Sequence, residues 1–284
     1  MGVIGNSGKS SCAQAVAQAA RLIRAARRAV YCDADTARLC RLHEDMEPDA
    51  AALAGRVDLL LVLGGDGTML RVARDIAGSP TPILGINIGG LGFLTAVSSA
   101  DLAAALQHVW RGEFDLEPRT LIEATSQGIG RAVRQSALND IVISRGIASR
   151  LIELRVSVDD EPLTQYRCDG LIVSSPTGST AYSLAAGGAV VYPTAEVFQL
   201  TPICPHTLSN RSLIVPSTSR VTVDVLNARP ATVLSADGQL VAELSAGDHI
   251  LIRRSRQAIR LLHLEGSSFF ESLRAKLHWR GANL

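Results

Sequence analysis

Residues 57–74 read VDLLLVLGGDGTMLRVAR. An apolar run stops at Gly64 and Gly65, Asp66, Gly67 and Thr68 follow, and a helix-like pattern then begins. Glycines at such a junction let the backbone turn tightly and come close to phosphate oxygens. The free N–H groups and the positive dipole end of the helix that follows then face an anion. A loop that only cradles phosphate has little use for a carboxylate, so Asp66 points to proton transfer or metal contact. Taken alone, the same residues also make an ordinary strand-to-helix turn with Asp66 as its N-cap.

A second chemical cluster lies at residues 169–188, DGLIVSSPTGSTAYSLAAGG. A strand runs into a loop dense in hydroxyls and then into a helix of small residues flanked by glycines. Thr177, Ser179, Thr180 and Ser183 carry hydroxyls suited to phosphate or ribose oxygens. Tyr182 can stack on a base or donate its own hydroxyl. A Ser/Thr-capped helix packed through alanines explains caps, but not this density of hydroxyls ahead of a tyrosine.

The elements that must carry these clusters alternate in the first part of the chain. Residues 12–28 have helical periodicity, with Ala and Leu opposite Arg. Residues 57–63 and 82–88 (PILGINI) are near-continuous apolar runs, as expected of parallel strands buried on both faces. The second ends in another glycine loop, Gly89, Gly90 and Gly92, followed by Phe93, and residues 100–110 predict a helix. Beyond Pro118 short strands dominate: 121–126, 137–144, 151–158, 170–174, 221–226, 231–234, 250–253 and 258–264. Residues 268–279 predict an amphipathic terminal helix. The expected architecture is an α/β domain of Rossmann-like parallel-sheet type over 1–118 and a β-rich domain over 119–265. A helical tail, 266–284, packs back on the body.

Composition narrows the classes. The 284 residues are 47% hydrophobic but only 4% aromatic, so the core is built from Leu, Val, Ile and Ala. Lys and Arg total 28 against 27 Asp and Glu, a balance that asks for neither nucleic acid nor an anionic membrane. Five cysteines, with no pair at CxxC spacing, indicate free thiols in a reducing cytoplasm rather than disulfides or zinc. Residues 1–32 are rich in Arg and Ala like a transit peptide, yet a first strand and first helix explain them as well, and that reading is preferred. Gly8-Lys9-Ser10 resembles the end of a P-loop, but Val3 stands where that pattern requires glycine. Asn6 likewise stands where a myristoylation signal has Ser or Thr.

In order along the chain come GGDGTML, NIGGLGFLT, LNDIVISR, CDGLIVSSPTGSTAYSLAAGG, PICPHTLSNRSLIVP and DGQ. Together these resemble the NAD kinase family, also called ATP-NAD kinases. The resemblance implies transfer of the γ-phosphate of ATP to the 2′-hydroxyl of the adenosine ribose of NAD. It also implies the two-domain fold of that family with 119–265 as the dinucleotide-binding domain, NAD and ATP as substrates, and a homo-oligomer, dimer or tetramer. A divalent cation, Mg²⁺ or another, is expected to enter with ATP, held by phosphates and water, with no metal ligand assigned on the protein.

Asp66 matches the family's proton acceptor, needed because a secondary alcohol is a poor nucleophile. Gly64, Gly65, Gly67 and Thr68 belong to its nucleotide-binding loop, and Phe93, in the second glycine loop, is a further binding residue. Asn139 and Asp140 match the pair that contacts the dinucleotide, where an amide beside a carboxylate serves ribose hydroxyls and the adenine amino group. An Asx turn is their structural alternative. Arg150 falls where the family has a basic or polar residue. Arg167 and Asp169 share one strand face and reach one ligand, or else form a surface ion pair. Thr180, Ala181, Tyr182, Ser183 and Ala185 match the segment that wraps the adenylate portion. Gln239 matches a further contact, beside a hairpin turn at Asp237-Gly238. His206 is expected to hold its loop through a ring hydrogen bond. The family commonly has serine at 185 and proline at 189, where this chain has Ala185 and Ala189, which removes one hydroxyl and predicts a less rigid helix exit.

Two alternatives share parts of this pattern. A soluble diacylglycerol-type lipid kinase has the same Gly-Gly-Asp-Gly loop but an apolar acceptor pocket, against the hydroxyl-rich segment and the Asn139–Asp140 pair. A non-catalytic dinucleotide sensor would have no use for Asp66.

Overall fold

The structure, a computed structural model, describes residues 1–8, 10–40, 45–90, 92–95, 97–127, 132–146, 150–207, 211–227 and 232–279. Lys9 of the P-loop-like segment and Ala231 of an expected strand lie outside them. The chain divides into two compact units, Met1–Pro118 with Ala258–Leu284, and Arg119–Gln257.

The first unit is built from β1 (Gly2–Gly5), α1 (Ser10–Ala25), β2 (Tyr31–Asp33), α2 (Ala34–Cys40), β3 (Met46–Glu47), α3 (Ala50–Ala54), β4 (Leu60–Gly64), α4 (Asp66–Asp75), β5 (Ile83–Asn87), β6 (Val97–Ser98) and α5 (Leu102–Arg111). The sheet runs β3-β2-β1-β4-β5, and every pair is parallel. β4 and β5 are buried along their whole length, which is why they read as unbroken apolar runs. The winding reverses between β1 and β4. In an open parallel sheet the crevice beyond the carboxyl ends of the strands at that reversal is where ligands bind.

The second unit is antiparallel. Its strands are β7 (Phe114–Gln127, entering from the first unit), β8 (Val133–Ala137), β9 (Asp140–Arg145), β10 (Ile152–Val158), β11 (Glu161–Cys168), β12 (Gly170–Ser174), β13 (Val197–Ile203), β14 (Leu213–Pro216), β15 (Val221–Asn227), β16 (Thr232–Ala236), β17 (Gln239–Leu244) and β18 (His249–Leu264, whose residues from Ala258 onward belong to the first unit). One sheet contains β11-β10-β15-β18 and the other β14-β13-β12-β9-β16-β17. Their inner faces, among them Leu154, Val156 and Val223 from one and Ile143, Leu171 and Phe198 from the other, share a single core.

Several elements differ from the sequence reading for local reasons. The run 137–144 is broken at Leu138 and Asn139, so β8 and β9 are separate strands. Two expected strands, 250–253 and 258–264, are one: the polar stretch between them stays extended, its charged side chains turned outward. The expected helix after PTGST is short, a 3₁₀ turn at Thr177–Thr180 and the four residues Tyr182–Ala185 (α6). The tail forms α7 (Phe269–Leu277).

Candidate active site

In the first unit the first glycine loop leaves β4 at Gly64. A Cβ there would lie 2.4 Å from Thr68 Oγ1, so Gly64 lets the first turn of α4 fold back on its strand. Gly65 and Gly67 differ from expectation. Neither has a positive φ, and a Cβ on either would meet nothing within 4 Å. They keep space open rather than permit a turn. That space is a pocket of about 340 Å³ lined by Asn6, Gly65, Gly67, Thr68 and Arg71. Asn6 follows β1 as Gly65 follows β4, which puts the pocket at the winding reversal. Asn6 Nδ2 donates to Thr68 Oγ1 at 3.1 Å and so ties the two loops together. Arg71, one turn into α4, brings a guanidinium to the pocket while resting 3.5 Å from Asp75.

Asp66 is not the N-cap. Gly65 holds that position without a side-chain cap, and Asp66 is the first helical residue. Its carboxylate turns instead toward the second glycine loop. Oδ2 accepts the Phe93 N–H at 3.0 Å and Oδ1 the Leu94 N–H at 3.1 Å, with Thr95 Oγ1 at 3.5 Å. Two backbone donors stabilise and orient a carboxylate anion. The Phe93 ring lies 5.9 Å from Lys276 Nζ of α7.

In the second unit Asn139 and Asp140 sit at the break before β9. The carboxylate of Asp237 accepts the N–H groups of Leu138 at 3.0 Å, Asn139 at 2.7 Å and Asp140 at 3.4 Å. Asp237 and Gly238 both have positive φ and form the two-residue turn between β16 and β17. Gly178 packs on the same break: a Cβ there would lie 2.1 Å from Asn139 O. Asp140 is buried, and burial first and the Asp237 charge second push its carboxyl up to about 7. Gln239 is exposed at the start of β17.

The hydroxyls of the PTGSTAYS segment are largely spent inside the unit. Ser179 Oγ donates to Pro176 O at 2.7 Å and accepts Val191 N–H at 3.0 Å. Ser183 Oγ pairs with Thr201 Oγ1 at 2.9 Å, and Thr177 Oγ1 accepts from buried Arg119 at 3.2 Å. Thr180 Oγ1 caps Thr177 O at 3.3 Å. What the segment offers outward is Tyr182, 47% exposed, with exposed Ala185 and half-buried Thr180 and Ala181. The exit after α6 is tied rather than loose. The Gln199 amide, oxygen toward Ala189 N and nitrogen toward Ala189 O, pairs with that residue at 2.6 and 2.9 Å, a contact whose N–H proline would lack.

Arg167 and Asp169 do not share a strand face. The chain changes sheets between them, Arg167 ending up beside Glu153 at 3.4 Å and Asp169 bound to Arg145 at 2.6 Å. Arg150 is exposed. His206 is exposed too, and its backbone N–H rather than its ring ties the loop, to Arg167 O at 2.8 Å. The sequence reading missed Asn6, Arg71, Asn87 and Thr95. A polar Asn87 closing the apolar run PILGI was the available signal.

The ATP-NAD kinase N-terminal domain profile matches residues 1–114 and the C-terminal domain profile residues 138–264. The NAD kinase of Syntrophotalea carbinolica is 45% identical over 232 residues, 81% of each chain. That of Polaromonas naphthalenivorans is 43% identical over 251 residues, 88% of this chain and 86% of its own. Among solved structures, yeast NADH kinase complexed with NADH superposes with TM-score 0.89 at 26% identity, covering 100% of this chain and 89% of that one. An Archaeoglobus fulgidus NAD kinase in complex with ATP gives 0.74 at 25% identity, covering 99% and 98%. Two matched domains and relatives of this identity over four-fifths of the chain establish that it belongs to the ATP-NAD kinase family.

Proposed function

We propose that, in the family's transfer of the ATP γ-phosphate to the 2′-hydroxyl of the adenosine ribose of NAD, Asp66 takes the hydroxyl proton. The supporting observation is a carboxylate at the end of β4, oriented by the Phe93 and Leu94 N–H groups beside a pocket with a guanidinium. The pocket of Gly65, Gly67, Asn6, Thr68 and Arg71 receives phosphate: its open glycines admit the oxygens, the first turn of α4 supplies N–H groups, and Arg71 supplies charge. Asn139, Asp140, Tyr182 and Gln239 hold the dinucleotide, with Arg150, Arg167 and Asp169 toward its outer portion.

Among the described residues no three His, Cys, Asp or Glu side chains converge on a metal position. Both Asp66 oxygens are engaged by backbone donors. A divalent cation, Mg²⁺ or another, carried in by the phosphates would neutralise charge on the transferred group. The chain works as a homo-oligomer, dimer or tetramer, a reading supported by Leu213 and Ile214 exposed on the terminal strand β14. Free cysteines support a cytoplasmic setting.

Purified protein given ATP and Mg²⁺, with NAD and diacylglycerol in parallel, tests the reaction. NADP without lipid phosphate is expected, and lipid turnover without NADP overturns it.

A further inference from the structure

Asn87 ends β5 directly opposite Gly64 of β4 in the parallel register, and the residue is only 4% exposed. A buried primary amide has two donors and an acceptor to satisfy. Asn87 satisfies all of them on one loop. Nδ2 donates to Gly90 O at 2.7 Å and to Thr95 Oγ1 at 2.8 Å, and Oδ1 accepts the Gly89 N–H at 2.6 Å. One side chain therefore ties Gly89 and Gly90 to Thr95.

Alongside these residues stand the groups that hold Asp66. Phe93 and Leu94 give their N–H groups to its two oxygens. Thr95, fully buried, accepts from Asn87, which leaves its single hydroxyl proton for Asp66 Oδ1 at 3.5 Å. The loop is pressed against the carboxylate: a Cβ on Gly92 would lie 1.9 Å from Asp66 Oδ1 and 2.5 Å from Thr95 Oγ1.

We propose that Asn87 is a positioning residue for phosphoryl transfer, its amide tying Gly89 and Gly90 to Thr95 so that the Phe93 and Leu94 N–H groups aim the Asp66 carboxylate. The proposal rests on the reading of Asp66 as proton acceptor. Asn87 touches no reacting atom and acts through Asp66 alone. Releasing the loop lets the carboxylate swing, and a base displaced by an ångström loses rate rather than substrate affinity.

The test is a double-mutant cycle on the full chain, with kcat and the KM values for NAD and ATP measured for Asn87→Ala, Asp66→Asn and the pair. Asn87→Ala is expected to lower kcat by about 100-fold with both KM values close to wild type. In the Asp66→Asn background the same change is expected to cost nothing further, because its route to the chemistry is gone. A merely structural role gives additive losses or moves KM, and either result overturns the proposal, as does an unchanged kcat for Asn87→Ala. Should Asn87→Ala fail to fold, Gly92→Ala and Thr95→Val disturb the same loop and are read by the same cycle. If Asp66→Asn alone keeps its kcat, the reading of Asp66 falls. If Asp66→Asn collapses while the loop variants keep theirs, only the positioning role falls.

Discussion

Asp237 holds Asn139 by the backbone, not by the side chain: a carboxylate oxygen accepts the Asn139 N–H at 2.7 Å, and the other accepts Leu138 N–H at 3.0 Å. The Asp237 N–H returns a bond to Asp140 O at 3.0 Å. A hairpin tip therefore sets the position of the residues read as the dinucleotide contacts. Asp237→Ala strands those donors. Each costs about 1–3 kcal/mol if left unmet, so a rise in NAD KM of about ten- to a hundredfold is expected with kcat little changed. Asn139→Ala is expected to give the same pattern by loss of the contact itself. Steady-state kinetics at varied NAD checks both, and a collapsed kcat at constant KM contradicts them.

Replacing Asp66 with asparagine separates chemistry from architecture. The amide keeps one of the two backbone bonds and turns its NH₂ against the other donor, so a modest drop in thermal midpoint is expected. The loss of a proton acceptor is expected to lower kcat by about 10²–10⁴. A folded variant retaining roughly a tenth or more of wild-type kcat removes Asp66 as the base.

Gly67 tests the phosphate pocket through opposite effects on stability and function. Its φ is not positive and a Cβ there meets nothing within 4 Å. Gly67→Ala in the first turn of α4 is expected to stabilise the fold by about 0.4–1 kcal/mol by restricting the unfolded chain. The added methyl enters the pocket and is expected to raise the KM for ATP. A higher thermal midpoint with unchanged ATP KM shows that phosphate binds elsewhere.

Asp140 makes stability fall as pH rises. Its carboxyl is pushed up to about 7 by burial and by Asp237, so the folded chain holds that proton more tightly than the unfolded chain. Stability from this group is fully present below the ordinary carboxylate range and is lost as pH climbs toward the folded value. Asp140→Asn removes the dependence. The midpoint of the variant is expected to gain on wild type between about pH 4 and 7. A gap that is constant with pH refutes the assignment.

The α/β start, the β-rich continuation and the two glycine loops were legible in the sequence, because they are local. A parallel strand buried on both faces must be an unbroken apolar run, and a loop that admits phosphate must be poor in side chains. The reading of PTGSTAYS went too far because hydroxyls look alike on paper whether they face a ligand or one another. Only the packed chain shows Ser179 and Ser183 turned inward. The strand face expected to be common to Arg167 and Asp169 is absent because strand periodicity holds only within one strand, and the chain changes sheets at Asp169. What tertiary structure alone decided is which distant residues converge. Asn6 meets Thr68 because β1 lies beside β4, Phe93 meets Asp66 because β5 does too, and Asp237 meets Asn139 because β16 pairs with β9. Strand order is fixed by the burial of whole faces, and no short stretch of sequence carries it.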